Sequence, residues 1–163
     1  MRSEEGCGIG AEFPHSHLLE ILFIVFFASV WGIDVLFLQL YLPLGVLVLD
    51  LLRSGISVSL LLISILIIKK SWLVVTPEVY DSQRLLKKGL YNHVRHPMYM
   101  GILLIYFSFV VLTLSLTLML AWLIIFSVFD MMVNYEEEKL VEIFGEEYKE
   151  YRKQVSKWIP FKR

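Results

Sequence analysis

The run from Met98 to Val133 limits this chain most strongly, because its 36 residues contain no charged residue except Asp130. At a helical rise of about 1.5 Å per residue, roughly 20 residues cross the hydrocarbon core of a membrane. The run is therefore too long for one span and short for two. Hydrophobic residues make up 57% of the sequence, which favours an integral membrane protein over a water-soluble one.

The distribution of positive charge indicates how this run is divided. Residues 69–95 contain six Lys and Arg residues, and residues 136–163 contain seven. Because cytoplasmic segments are enriched in Lys and Arg, both are predicted to be cytoplasmic, which requires an even number of spans between them. Two short or tilted helices are therefore predicted at about 98–113 and 117–135, with a turn near residues 113–115.

Two more apolar runs come earlier in the chain, at about residues 18–42 and 44–68. Pro43 and then Gly45 are predicted to break the helix between them. The predicted fold is an all-α membrane protein with about four transmembrane helices in two hairpins and a C-terminal amphipathic cytoplasmic helix. The sequence predicts three parts. Residues 1–17 form a polar N-terminal segment without a signal peptide, and residues 18–70 form a hairpin anchor in the membrane. Residues 71–163 contain the interfacial loop, the last two spans and the tail.

Three charged residues, Asp34, Asp50 and Arg53, lie inside the first two predicted spans. Charges in a bilayer are costly and usually paired. Asp50 and Arg53 are three residues apart and share a helical face. We predict a structural ion-paired clasp near the outer surface, with a substrate or proton path as the alternative.

Basic residues and a proline meet at Arg95-His96-Pro97, at the start of the third span. Proline favours the first turn of a helix, so the free amides of that turn are predicted to face the cytoplasmic loop. A helix N-terminus beside Arg95 and His96 suits an anionic group. In the same stretch, Tyr91 and Tyr99 offer flat faces for a base or a cation, and Gly101 allows close approach to the backbone. The alternative is an ordinary interfacial belt that contacts lipid headgroups.

An acidic cluster, residues 136–138, lies just after the fourth predicted span. Its predicted depth in the membrane matches that of Arg95 and His96, which lie just before the third span. If the two helices form a hairpin, Glu136 and Glu137 meet Arg95 and His96 at one membrane face. The alternative is a solvated acidic run, which we favour for Glu138. The tail beyond it has the spacing of an amphipathic helix, with a bend at Gly145.

Two patterns flank the apolar hairpin in a fixed order. The first is Gly89-x-Tyr91-x-x-x-Arg95-His96-Pro97-x-Tyr99-x-Gly101. The second is Glu136-Glu137-x-x-Leu140-x-x-x-Phe144-Gly145-x-x-Tyr148-x-x-Tyr151, ending in Pro160. Together they resemble the signature of the integral-membrane methyltransferases, the group that includes isoprenylcysteine carboxyl methyltransferase and the phospholipid methyltransferases. The resemblance covers about residues 72–161.

This resemblance implies an S-adenosylmethionine-dependent methyltransferase at the membrane–cytosol interface, with residues 71–163 as the catalytic region. The acceptor would be lipidic, like a prenyl-cysteine carboxylate or a phospholipid amine. Arg95 and Glu136 would stand nearest the transferred methyl group and the acceptor. The residues implied in cofactor binding are Tyr91, His96, Pro97, Tyr99, Gly101 and Glu137. One departure concerns the acceptor side, because Met132 stands where the family often has an arginine.

Alternatives from other classes are an NADPH-dependent membrane reductase of the sterol-reductase type and a non-enzymatic membrane protein that retains the fold. The reductases have a similar Arg-His/Tyr-Pro motif but are larger and have more spans. A metal site is not predicted, because the pairs His93/His96 and His15/His17 lack a third ligand at useful spacing. Cys7 is the single cysteine, and the net charge of −1 favours no nucleic-acid partner. A prokaryotic plasma membrane is predicted, with both termini cytoplasmic.

Overall fold

The structure, a computed structural model, describes residues 16–38, 47–78 and 85–160. In these ranges the chain is helical, apart from turns and an isolated parallel bridge between Val94 and Ser156. The helices in chain order are α1 (Ser16–Ile33) with a π-helical turn (Asp34–Leu38), α2 (Leu47–Glu78), a 3₁₀ turn (Gly89–Asn92), α3 (Pro97–Thr113), α4 (Leu116–Phe144) and α5 (Glu146–Gln154). The prediction of an all-α protein is confirmed.

Among the described residues, three helices are long and apolar enough to cross a membrane, over Ser16–Leu36, Leu49–Val75 and Leu116–Phe144. Most large apolar side chains of α1 and α2 are exposed, as Leu22, Leu51 and others show. Apolar faces of this extent suit lipid rather than water. These features support an integral membrane protein. The fourth span stays a prediction, because α3 is a shorter apolar helix.

Helix α2 differs from the prediction at its C-terminal end. The sequence predicts that the second span ends at about residue 68, and Thr76-Pro77 has the capping residue and proline typical of the start of a new helix. The structure instead has one continuous helix that ends at Glu78. Lysine is a good helix former, so Lys69 and Lys70 do not end the helix. The predicted break at Pro43 and Gly45 lies outside the described residues.

The predicted turn between the last two apolar helices is confirmed at residues 113–115. Leu114 adopts a positive φ of 52°, and the Ser115 hydroxyl accepts a hydrogen bond from the Leu118 amide at 3.4 Å. Helix α4 then extends well past the predicted span, to Phe144. The predicted bend at Gly145 is also confirmed, because Gly145 has a φ of 57° and separates α4 from α5.

The described residues divide into two compact units. The first contains residues 67–78, 85–98 and 130–160, and the second contains residues 16–38, 47–66 and 99–129. The division that we predicted from the sequence, at residues 17 and 70, stays a prediction.

Within the second unit, a buried aspartate joins the end of α1 to the start of α4. Thr117 donates its hydroxyl hydrogen to Asp34 at 2.6 Å, and Thr117 also bonds the Ser115 hydroxyl at 2.7 Å. We call these three residues the Asp34 cluster. The predicted ion pair of Asp50 and Arg53 is confirmed, with a distance of 2.9 Å, and its place near the outer surface stays a prediction. The predicted clasp is wrong for Asp34, whose described partner is a hydroxyl group.

Candidate functional site

The stretch before α3 folds as a tight turn. Gly89 has a φ of 60°, a conformation that favours glycine, and a Cβ at this position would lie 3.3 Å from Val74 Cγ2. The amides of His93 and Val94 both bond the Leu90 carbonyl, at 2.9 and 3.0 Å. Pro97 then occupies the first position of α3, as predicted.

The C-terminal tail packs on this turn through three directed hydrogen bonds. The Arg95 amide bonds the Ser156 carbonyl at 3.0 Å, and Arg95 Nη1 bonds the Arg152 carbonyl at 3.0 Å. The Tyr151 hydroxyl donates to the Tyr91 carbonyl at 2.6 Å. The two sequence motifs thus meet in the first unit, because α5 folds back after Gly145.

Glu137 is the centre of the charged site. It is 2% exposed, and its Oε1 atom lies 3.0 Å from Arg95 Nε and 3.2 Å from His96 Nε2. Its Oε2 atom lies 3.4 Å from Arg152 Nε. Glu136 Oε2 lies 3.9 Å from His96 Nδ1. We call these five residues the Glu137 cluster.

Burial sets the protonation state of His96. Burial lowers the pKa of His96 below its ordinary value, against the hydrogen bond and the charge of Glu137, which raise it. The imidazole is therefore neutral near pH 7. A neutral ring that donates from Nε2 to Glu137 keeps Nδ1 as an acceptor.

Tyr91 adds a half-buried ring to this region. Burial raises the pKa of Tyr91 to about 12, and the negative charge of Glu136 contributes. Its phenol therefore stays protonated at neutral pH and remains available as a hydrogen-bond donor.

Of the residues predicted for the site, the structure brings Arg95, His96, Glu136 and Glu137 into one cluster. Tyr99 and Gly101 belong to the second unit, where the ring of Tyr99 packs on Phe129 at a centroid distance of 5.4 Å. A cofactor role for Tyr99, Gly101 or Pro97 stays a prediction.

Sequence reasoning missed Arg152 as part of the site. Its guanidinium group reaches Glu137 because α5 turns back at Gly145, and a sequence pattern does not specify that approach. The amphipathic spacing of the tail was the available signal. Sequence reasoning also missed the contacts of Lys157 and Trp158. Both side chains donate a hydrogen bond to Asp130, and the bond from Trp158 Nε1 is 2.8 Å long. These contacts hold the end of the tail on α4.

A polar cavity of about 300 Å³ lies beside the Glu137 cluster. Four of its lining residues are cationic: Arg95, Arg152, Lys153 and Lys157. Met132 is buried one helical turn before Glu136. The cationic lining of this cavity therefore comes from the turn before α3 and from the tail.

Two buried donors of the first unit have no hydrogen-bond acceptor among the residues that the structure describes. They are the Tyr148 hydroxyl and Arg95 Nε–H. Arg95 Nε is close to Glu137 but not aligned with it, so that contact is an ion pair without a directed hydrogen bond. An unsatisfied buried polar group costs about 1–3 kcal/mol, so such groups are expected where a ligand completes the site.

The fold and this cluster define an integral membrane protein with a buried, charged site at the end of a spanning helix. Residues 51–147, more than half of the 163 residues, match the family described as phospholipid methyltransferase. The chain belongs to this family, which confirms the resemblance predicted from the two motifs.

Individual relatives each match about half of the chain. Methanethiol S-methyltransferase 1 of Bradyrhizobium diazoefficiens is 35% identical over 74 residues, 45% of this chain and 25% of that protein. Protein-S-isoprenylcysteine O-methyltransferase of Xenopus laevis is 36% identical over 91 residues, 54% of this chain and 31% of that protein. Protein-S-isoprenylcysteine O-methyltransferase of Schizosaccharomyces pombe is 35% identical over 81 residues, 47% of this chain and 33% of that protein. The match thus spans a third or less of these relatives. No solved structure matches the chain.

Proposed function

We propose that this protein is an S-adenosylmethionine-dependent methyltransferase that acts on an apolar or lipidic acceptor at the membrane–cytosol boundary. The Glu137 cluster is the observation that carries the proposal. It joins the two motifs of a methyltransferase family around one buried carboxylate, and the named relatives are methyltransferases.

The residues of the cluster fit the methyl donor chemically. S-Adenosylmethionine has an amino-acid end with both charges and a sulfonium cation. The cluster offers two carboxylates, Glu136 and Glu137, and two guanidinium groups, Arg95 and Arg152. The unsatisfied donors on Arg95 and Tyr148 fit the same conclusion, because a bound ligand would supply their acceptors. His96, Glu137 and Tyr91 are the residues proposed to hold the cofactor.

The cofactor, when bound, supplies a methyl group already activated on sulfur, so the protein mainly positions and desolvates the reactants. Fixing the geometry of two reactants lowers a barrier by roughly 7–11 kcal/mol at best. Glu136, the second glutamate of the cluster, is proposed as the base that takes a proton from an amine acceptor. A carboxylate or thiolate acceptor needs no base.

The second unit supports an apolar acceptor. It contains a cavity of about 380 Å³ lined by α1 and α3, with Phe27, Trp31, Tyr106 and Phe109 among its walls. A hydrocarbon chain fits such a lining. The relatives act, by their names, on isoprenylcysteine and on methanethiol, so both a lipidic and a small thiol acceptor belong in the first assay.

Binding of S-adenosylhomocysteine to the purified protein, measured by calorimetry, tests the proposal. We expect micromolar binding to the wild type and none to His96→Ala or Glu137→Ala. Glu138→Ala is the matched control, because Glu138 is exposed and adjacent on the same helix. Absence of binding in a folded wild-type sample with lipid added would contradict the proposal, and NADPH would be the next ligand to test.

A further inference from the structure

Two tyrosines of α5 have similar surroundings but different hydrogen bonding. Tyr148 and Tyr151 are both buried, and their ring centroids are 5.8 Å apart. The Tyr151 hydroxyl donates to the Tyr91 carbonyl at 2.6 Å. Tyr148 is 1% exposed, yet its hydroxyl has no partner within residues 16–38, 47–78 and 85–160. A phenylalanine would fill the same space without the unsatisfied group.

The Tyr148 hydroxyl belongs to the electrostatic surroundings of the Glu137 cluster. Burial, and next the negative charge of Glu137, raise the pKa of Tyr148, while the charge of Arg95 acts in the opposite direction. The phenol is therefore protonated at any physiological pH and acts as a hydrogen-bond donor.

The second unsatisfied donor points to the same kind of partner. Arg95 Nε–H lies in a side chain that is 9% exposed, and it lacks an aligned acceptor in the described part of the chain. Two buried donors without acceptors call for a hydrogen-bond acceptor. The guanidinium groups of Arg95 and Arg152 favour an acceptor that is negatively charged.

We propose that the Tyr148 hydroxyl is a ligand-binding group that donates, with Arg95, to the amino-acid carboxylate of the bound methyl donor. This inference rests on the proposed function and assigns one end of the cofactor to one part of the cluster. In this case a phenylalanine at position 148 would support folding as well as Tyr148 does. Tyr151, in contrast, holds the tail on the turn before α3 through its hydroxyl group.

Tyr148→Phe and Tyr151→Phe, compared as full-length proteins in detergent with lipid, test this assignment. We expect Tyr148→Phe to melt at the wild-type temperature or above it and to bind S-adenosylhomocysteine about tenfold more weakly. Tyr151→Phe should melt at a lower temperature, because it loses the bond to the Tyr91 carbonyl. A melting temperature that falls in Tyr151→Phe and not in Tyr148→Phe distinguishes a structural contact from a ligand contact.

A second ligand locates the contact. 5′-Methylthioadenosine lacks the amino-acid end, so Tyr148→Phe should not weaken its binding. An equal loss of affinity for both ligands would overturn the assignment.

The remaining outcomes are also decisive. Unchanged affinity of Tyr148→Phe for S-adenosylhomocysteine would overturn the role of Tyr148 and leave the proposed function standing. A melting temperature lowered as much as in Tyr151→Phe would show that the hydroxyl has a structural partner, and would overturn the inference as well. A wild type that binds neither ligand would remove the proposed function and this inference together.

Discussion

Two buried carboxylates, Glu137 in the first unit and Asp34 in the second, have opposite surroundings. Glu137 contacts two arginines and a histidine, each of which is able to bond another group. Asp34 is 0% exposed, and its described partner is the Thr117 hydroxyl, which is itself bonded to Ser115. The first arrangement has donors in excess, and the second is a short chain of neutral hydroxyls.

The difference shows which of the two sites is suited to exchange partners. In the Glu137 cluster, the arginines have more N–H donors than one carboxylate is able to bind, so some of these donors are able to bind a ligand. The Asp34 cluster lacks donors instead: the Thr117 hydroxyl bonds Oδ1, and Oδ2 has no hydrogen-bond donor in the described part of the chain. Burial of a carboxylate is therefore not by itself a sign of function, and the kind of partner is the better indicator.

Glu137→Gln should have the largest effect on this comparison. The amide keeps the shape but removes the charge that Arg95 faces, and breaking a buried ion pair costs about 3–5 kcal/mol. We expect at least a hundredfold loss of S-adenosylhomocysteine affinity by calorimetry and a lower melting temperature. The exposed neighbour Glu138→Gln should change neither. Wild-type affinity in Glu137→Gln would mean that the cluster is structural, like that of Asp34.

Thr117→Val is the corresponding change in the second unit. It removes the hydroxyl that donates to Asp34 and leaves the carboxylate without that partner, which should cost about 1–3 kcal/mol of stability. Ligand affinity should stay at the wild-type value. The matched control is Ser127→Ala, because the Ser127 hydroxyl is exposed and bonds the Leu123 carbonyl of its own helix. A loss of affinity in Thr117→Val without a loss of stability would erase the distinction between the two sites.

A pH series sharpens the comparison through His96. Because the folded pKa of His96 lies below the ordinary value of 6.5, the unfolded chain binds more protons in the interval between the two values. Stability should therefore fall as the pH falls below about 6.5. Melting curves at successive pH values should show this slope in the wild type, and His96→Gln should flatten it. An unchanged slope in the variant would assign the pH dependence to other groups.

The last prediction concerns the bend that brings Arg152 to Glu137. Gly145→Ala places a side chain at a φ of 57° and a ψ of −128° with no atom within 4 Å of the new Cβ, so the cost is one of backbone conformation, about 1–3 kcal/mol. Gly55→Ala, within α2 and equally free of contacts, should instead raise the melting temperature slightly. Equal shifts in the two variants would show that the bend has no special requirement for glycine.

The parts of the fold that follow from local chemistry could be predicted. Apolar length predicted the long helices, Pro97 predicted the start of α3, and hydroxyl residues predicted the turn at 113–115. The continuation of α2 to Glu78 could not be predicted in the same way. A charge pattern reports where the membrane surface lies, whereas a helix ends only where its backbone bonds are lost.

The site was predictable to the extent that its chemistry lies in the two motifs. The meeting of Arg95 and His96 with the glutamates was expected from their common depth beside a hairpin. Arg152 and Tyr148 enter through the fold of α5, and their roles depend on which atoms find partners after packing. A sequence specifies which groups are present, and only three-dimensional packing specifies which of them are left unsatisfied.

Helix α4 is one uninterrupted helix from Leu116 past Glu136, a rise of about 30 Å at 1.5 Å per residue. The deletion of a single residue within that interval would turn the glutamates by about 100° around the helix axis and move them away from the groups they face. Length changes that keep the same face come in steps of about seven residues. Evolutionary insertions and deletions should therefore be scarce between residues 116 and 136 and more frequent in the loops, and a tally across an alignment of relatives would measure this.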